Sequence, residues 1–166
     1  MSDLLADIPA ALAQAAHAGT SHVPDRRGQQ ERESYAAQLE RDRAYLSQFA
    51  TTPEKVEVLD REFARYRAGF RQRFTARLSA MSRCVSTMVA GGSNFPTGRA
   101  NRASDRADKS TSELIEYRNR AIDAIRKALT PELQPIRSGA SDAVERLDSE
   151  IAKLEAWELS YGETKE

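Results

Sequence analysis

The chain has 166 residues, 40% hydrophobic, 30% charged and 7% aromatic, a composition that suits one soluble helical domain with a real core and argues against wholesale disorder. No run of about 18 apolar residues occurs, so no membrane span is expected, and Asp3 and Asp7 stand where a secretory signal needs positive charge. Formal net charge is zero, but the neutrality is a cancellation. Residues 1–60 carry ten acids against six bases, residues 61–112 three against eleven, and residues 113–166 twelve against eight. The middle third therefore offers a positive field to phosphate or to an acidic protein patch, unless the three parts pair with one another inside the bundle.

In chain order, Asp3 can cap a first helix running to about Ala18, with Leu4, Leu5, Ile8 and Leu12 on one side and Gly19 as the stop. Residues 20–28 read as a loop or frayed turn, so 1–28 is expected to form a mobile N-terminal helix and loop. From about Gln30 to Phe49 the positions Tyr35, Leu39, Leu46 and Phe49 mark a second helix, charged on its other faces. Thr51-Thr52-Pro53-Glu54 then joins a capping hydroxyl, a first-turn proline and an acid at the positive end of the helix dipole, a strong start signal. Val56, Leu59, Phe63, Tyr66, Phe70, Phe74, Leu78, Met81, Val85 and Met88 follow at steps of three and four, with Cys84 at the edge of the stripe. They predict one helix from Pro53 to Val89, about 50 Å at 1.5 Å per residue, as the spine of the molecule.

Gly91-Gly92 ends that pattern, and the segment GGSNFPTGRANRAS separates it from a further helix expected from about Arg102 to Leu129. A last helix begins near Asp142, where Asp142 and Glu145 resemble a capping box. Its stripe, Val144, Leu147, Ile151 and Leu154, extended by Trp157, has coiled-coil spacing. No strand-like alternation of useful length appears. The expected fold class is all-α, an elongated bundle of about four to five helices around one long central helix, forming a single domain over residues 1–166.

The chemistry-bearing motifs are mostly missing. His17 and His22 are the only histidines, and no HExxH, CxxC pair, GxxxxGKS/T or GxGxxG occurs, so no catalytic site, cofactor or metal site is expected. The lone Cys84 excludes an internal disulfide, reads as a packed thiol within the apolar run, and points to a reducing compartment. Many acids stand at helical spacing from bases, Glu57 with Arg61 and Asp123 with Lys127 among them, as solvated surface pairs do. The informative charges are the arginines of the long helix, Arg61, Arg65, Arg67, Arg71, Arg73, Arg77 and Arg83, opposed there by Glu62 alone. Arg67 and Arg77 lie near the apolar face and are expected to pair with acids of neighbouring helices. Arg61, Arg65, Arg71 and Arg83 remain as a secondary basic surface.

Arg99, Arg102, Arg106 and Lys109 carry the positive charge into the loop and the start of the next helix. Cations at a helix N-terminus oppose the dipole preference unless an anion is bound there, which marks these residues as a binding surface. Asn94, Phe95 and Asn101 complete the candidate site, with Phe95 either plugging the loop into the core or inserting into a partner.

The stretch from Ser82 to Leu129 resembles a module of bacteriophage, plasmid and integrative-element proteins described as antirestriction-like, some of them large polyvalent proteins. The likeness rests on Met88, Gly92, Asn94, Phe95, Pro96, Arg99, Asn101, Asp105, Lys109, Glu116, Arg118 and the run from Ala121 to Ile125, and spans about residues 30–155. The resemblance implies a mobile-element protein in the cytoplasm of a bacterial host. With no catalytic residues in view, it suggests an inhibitor of a host defence protein or ribonucleoprotein, such as a CRISPR effector or restriction enzyme. Two alternatives stand beside it: an accessory protein contacting DNA or RNA phosphates, and a scaffold subunit forming a homodimer through the 142–158 stripe.

Overall fold

The computed structural model describes residues 2–93, 95–133, 135 and 143–162. Among them there are α-helices but no strand, as the all-α reading expects. The helices are α1 (Ser2–Ala6), α2 (Ala10–Ala18), α3 (Pro24–Ser47), α4 (Pro53–Met81), α5 (Thr87–Ala90), α6 (Thr97–Leu129) and α7 (Ala143–Gly162). The chain divides into two compact units, residues 1–130 and residues 131–166.

In the first unit α4 is the central helix. Its start follows from sequence chemistry: Thr52 Oγ1 accepts the Lys55 backbone N–H at 3.3 Å and Pro53 opens the first turn. The expected core stripe is buried over six positions, Leu59, Phe63, Tyr66, Phe70, Phe74 and Leu78. Tyr35 from α3 stacks on Phe70 at 5.6 Å and meets Phe74 edge-on at 5.1 Å, while Tyr66 lies 5.5 Å from Phe70. Each such pair contributes about 0.5–1.5 kcal/mol beyond the burial of its area. Leu114, Ile125 and Leu129 of α6 close the core from the other side.

Several boundaries differ from the sequence reading, each for a physical reason. The first helix is broken at Pro9, which has no N–H to donate and starts α2 as its N-cap residue. The expected loop at 20–28 is short, because Pro24 sits in the first turn of α3 and starts that helix six residues early. Far from standing apart as a mobile end, residues 8–28 include Ile8, Ala13, Ala16 and Gly28, all buried. Gly28 lies so close to α2 that a Cβ there would stand 2.7 Å from the Gln14 backbone nitrogen. The long helix stops at Met81 rather than Val89. Beyond it the Cys84 N–H donates to Met81 O, and the Ser86 N–H leaves helical pairing for Gly19 O at 2.9 Å. Val85 and Met88 consequently leave the core stripe and are exposed. Gly91, at φ +81°, ends α5 in the left-handed region that a Cβ disfavours. The last helix begins as expected, although Asp142, its proposed cap, lies outside the described residues.

Two polar nodes, one buried at Asp42 and one part-buried at Asp7, fasten the helices of the first unit. Asp7 accepts from Tyr35 Oη at 2.8 Å and from Arg67 Nε and Nη2 at 2.7 and 3.0 Å. Asp42, 2% exposed, accepts from Tyr66 Oη at 2.6 Å, Gln38 Nε2 at 2.9 Å and Arg118 Nε at 3.0 Å, with a second bond from Arg118 Nη2. Each node is a Tyr–Asp–Arg set drawn from three segments of chain. Burial raises the Asp7 pKa, but the bonds from Arg67 and Tyr35 and the charges of Arg67 and Arg71 outweigh it and hold the carboxyl below its ordinary value. Burial first, then the carboxylate each donates to, pushes Tyr35 and Tyr66 far above their usual range.

The second unit comprises a 3-10 turn at Pro131–Leu133 and α7. Arg146 donates to the Pro131 carbonyl at 3.0 Å, joining the two.

Candidate arginine site

α4 and α6 run antiparallel. Near their middles they approach closely: a Cβ on Gly69 would fall 2.0 Å from the Tyr117 hydroxyl, and Tyr117 stacks on Tyr66 at 6.2 Å. This crossing brings the residues just past the end of α4 against the first turns of α6. There Ser82, Arg83, Arg99, Arg102, Ala103 and Arg106 line a depression of about 380 Å³. Pro96 occupies the N-cap, so α6 begins at Thr97, five residues earlier than expected, and Arg99, Arg102 and Arg106 fall on a single helical face within about 60° of one another.

The neighbouring arginines show what sets these four apart. Arg61 and Arg65 bond Glu62 at 3.2 and 3.0 Å, and Arg71 approaches Asp7 at 3.8 Å. Arg67 is held by Asp7, and Arg77 by Glu31 at 2.9 and 3.0 Å, as their positions near the apolar face predict. Arg73 lies 3.9 Å over the Tyr117 ring and donates to Gly69 O. Arg83, Arg99, Arg102 and Arg106 make no side-chain hydrogen bond or ion pair among the described residues, and all four are exposed. The first turn of α6 holds no acidic residue, and no side chain caps it. Four guanidinium groups and the positive end of a helix dipole thus share one depression without a counter-charge, an arrangement that repels itself until an anion enters.

The remaining sequence candidates fall around this centre. Lys109 continues the arginine face one turn along, outside the depression, whereas Asn101 points about 130° away from it. Phe95 is half-buried beside the helix start, and its carbonyl accepts the Thr97 N–H at 2.8 Å. Asn94 lies outside the described residues. Arg61, Arg65 and Arg71, grouped with Arg83 as a secondary surface, are engaged with carboxylates and do not join it. Arg83 belongs with the α6 row. The signal that could have moved it was the helix end at Met81, which takes Arg83 off the α4 register.

Two further clefts are less available. One of about 360 Å³ between α3 and α6 has its Arg77 and Arg118 committed to Glu31 and Asp42, and one of about 720 Å³ contains the Arg67–Asp7 and Arg43–Asp60 pairs. Cys84 is partly buried, and burial raises its thiol pKa, so it is a poor nucleophile. No group of three His, Cys, Asp or Glu side chains stands where it could hold a metal ion, and no helix is long and apolar enough to cross a membrane, among the described residues. Comparison with protein-family models, with curated proteins and with solved structures gives no match.

Proposed function

We propose that the chain is a non-catalytic binding protein whose Arg83, Arg99, Arg102 and Arg106 grip successive phosphates of a nucleic acid. The observation that carries this reading is the contrast between these four arginines, which lack partners among the described residues, and those of α4, which have them. Guanidinium forks match phosphate oxygens two at a time, and an exposed row one helical turn apart can follow a backbone without reading bases. Neutralising four phosphates gives log K a slope of about −3.6 against log salt on duplex DNA, which weakens binding about 150-fold between 50 and 200 mM.

The test is binding of the full chain to labelled single- and double-stranded DNA and RNA across a salt series, beside the variant R99A/R102A/R106A. The expected variant slope is about −0.9, for the one remaining contact. No binding at low salt, or a slope the variant leaves unchanged, overturns the proposal.

The second reading is the one the resemblance suggests, a mobile-element protein that binds and inhibits a host defence complex such as a CRISPR effector or restriction enzyme. The observation that favours it is the exposed apolar stripe of α7, which suits a protein partner. Inhibition of target cleavage by purified protein, retained in the arginine variant, would separate it from the phosphate reading.

A further inference from the structure

The second unit carries a surface of opposite character. On α7, Val144, Leu147, Ile151, Leu154 and Trp157 are 71%, 49%, 50%, 64% and 60% exposed. They succeed one another at steps of three and four on one side of a helix of 20 residues, about 30 Å long. Water-exposed leucine, isoleucine and tryptophan in a continuous row along two-thirds of a helix is the pattern of a docking face.

The charges beside the row specify what docks. With Val144 and Ile151 as heptad positions a, and Leu147 and Leu154 as d, positions e are Asp148 and Glu155, and Glu150 is a g position. Two copies packed in parallel would set Glu150 of each beside Glu155 of the other; packed antiparallel, they would set Asp148 against Glu155. Carboxylate meets carboxylate in both arrangements, and Glu158 adds another charge at the next a position. The basic residues Arg146 and Lys153 lie at outer positions c, with Arg146 turned to Pro131 O and Lys153 to Glu150 at 2.9 Å. The e edge therefore has carboxylates only, which disfavours the homodimer and selects a partner with basic edges.

We propose that α7 is a docking helix for a basic amphipathic helix of a protein partner, with apolar side chains at a and d and lysine or arginine at e and g. This gives the chain a second binding surface, independent of the arginine depression and opposite to it in charge.

Trp157 is the only tryptophan and sits in the proposed contact, so its fluorescence reports docking directly. The full chain is titrated with a synthetic helical peptide bearing isoleucine and leucine at a and d and lysine at every e and g position. A peptide with glutamate at those positions and vesicles of zwitterionic phosphatidylcholine serve as comparators. The expected result is a saturable blue shift with the lysine peptide alone, weakened at least tenfold by D148K/E155K and regained by that variant with the glutamate peptide. An equal shift with both peptides, a shift with the vesicles, or no shift with the lysine peptide overturns the proposal. So does sedimentation of the chain alone as a dimer through this stripe, with Trp157 already shielded and I151S restoring the monomer.

Discussion

Replacing Asp42 by alanine tests the polar node between α3, α4 and α6. The carboxylate is 2% exposed and accepts from Tyr66, Gln38 and, through both oxygens, Arg118. Its removal leaves the Tyr66 hydroxyl buried without its acceptor and the Arg118 guanidinium without its counter-charge. Breaking a buried pair by deleting one member costs about 3–5 kcal/mol. The Arg118 side chain is 35% exposed and can turn to water, so the lower end applies, about 3 kcal/mol. With a urea slope of about 2 kcal/mol per molar, the unfolding midpoint falls by about 1.5 M. The internal control is Arg43–Asp60, also a short pair at 2.6 Å, with both side chains more than half exposed. Both pairs are within direct bonding distance, but burial separates them, and D60A is expected to cost less than about 1 kcal/mol. Urea unfolding of both variants, followed by far-UV circular dichroism, decides the matter. If D42A loses no more stability than D60A, the reasoning from burial is refuted.

The close approach of α2 and α3 predicts an inverted glycine effect. Alanine in place of a mid-helix glycine usually gains up to about 1 kcal/mol, but at position 28 the new Cβ meets the α2 backbone at 2.7–2.9 Å, and G28A is expected to lose about 2 kcal/mol. A rise in the melting temperature would show that the helices do not meet there. The tyrosines of the two nodes predict alkaline sensitivity. Their folded pKa values lie above the ordinary 10.0, so their contribution is complete below that pH and is lost as pH climbs toward the folded values. Melts to about pH 11 should show this loss, and Y35F/Y66F, less stable at neutral pH, should show less of it. Asp7 gives the opposite edge: its folded pKa is lowered, so its contribution holds above the ordinary 3.8 and fades as pH falls through the lower folded value. In D7N this acid-dependent loss should diminish.

Local chemistry was legible in the sequence where it was self-contained. Thr52, Pro53 and Glu54 announce the start of α4 within four residues, and the apolar period identifies its buried face from Leu59 to Leu78. Arg67 and Arg77 could be assigned to structural pairing because helical projection places them beside that face. Features set by tertiary contacts were less accessible. The apolar period runs on through Val85 and Met88 without a break, and the Ser86 bond to Gly19, distant in sequence, accompanies the chain's turn out of the helix. Asp42 is one of 25 acids, and nothing local distinguishes it until Arg118 and Tyr66 close over it. The α6 row of the arginine site was visible as a charge pattern; its union with Arg83 depended on the antiparallel crossing of α4 and α6.

The Asp42 node also bears on the order of events during synthesis. Asp42 and Arg118 are separated by 76 residues, and a ribosome adding about 5–20 residues per second takes about 4–15 s to cover that distance. Throughout that interval a nascent chain could build α3 against α4 only with Asp42 hydrated or lacking its cation. The first unit therefore gains this fastening only after α6 has been made.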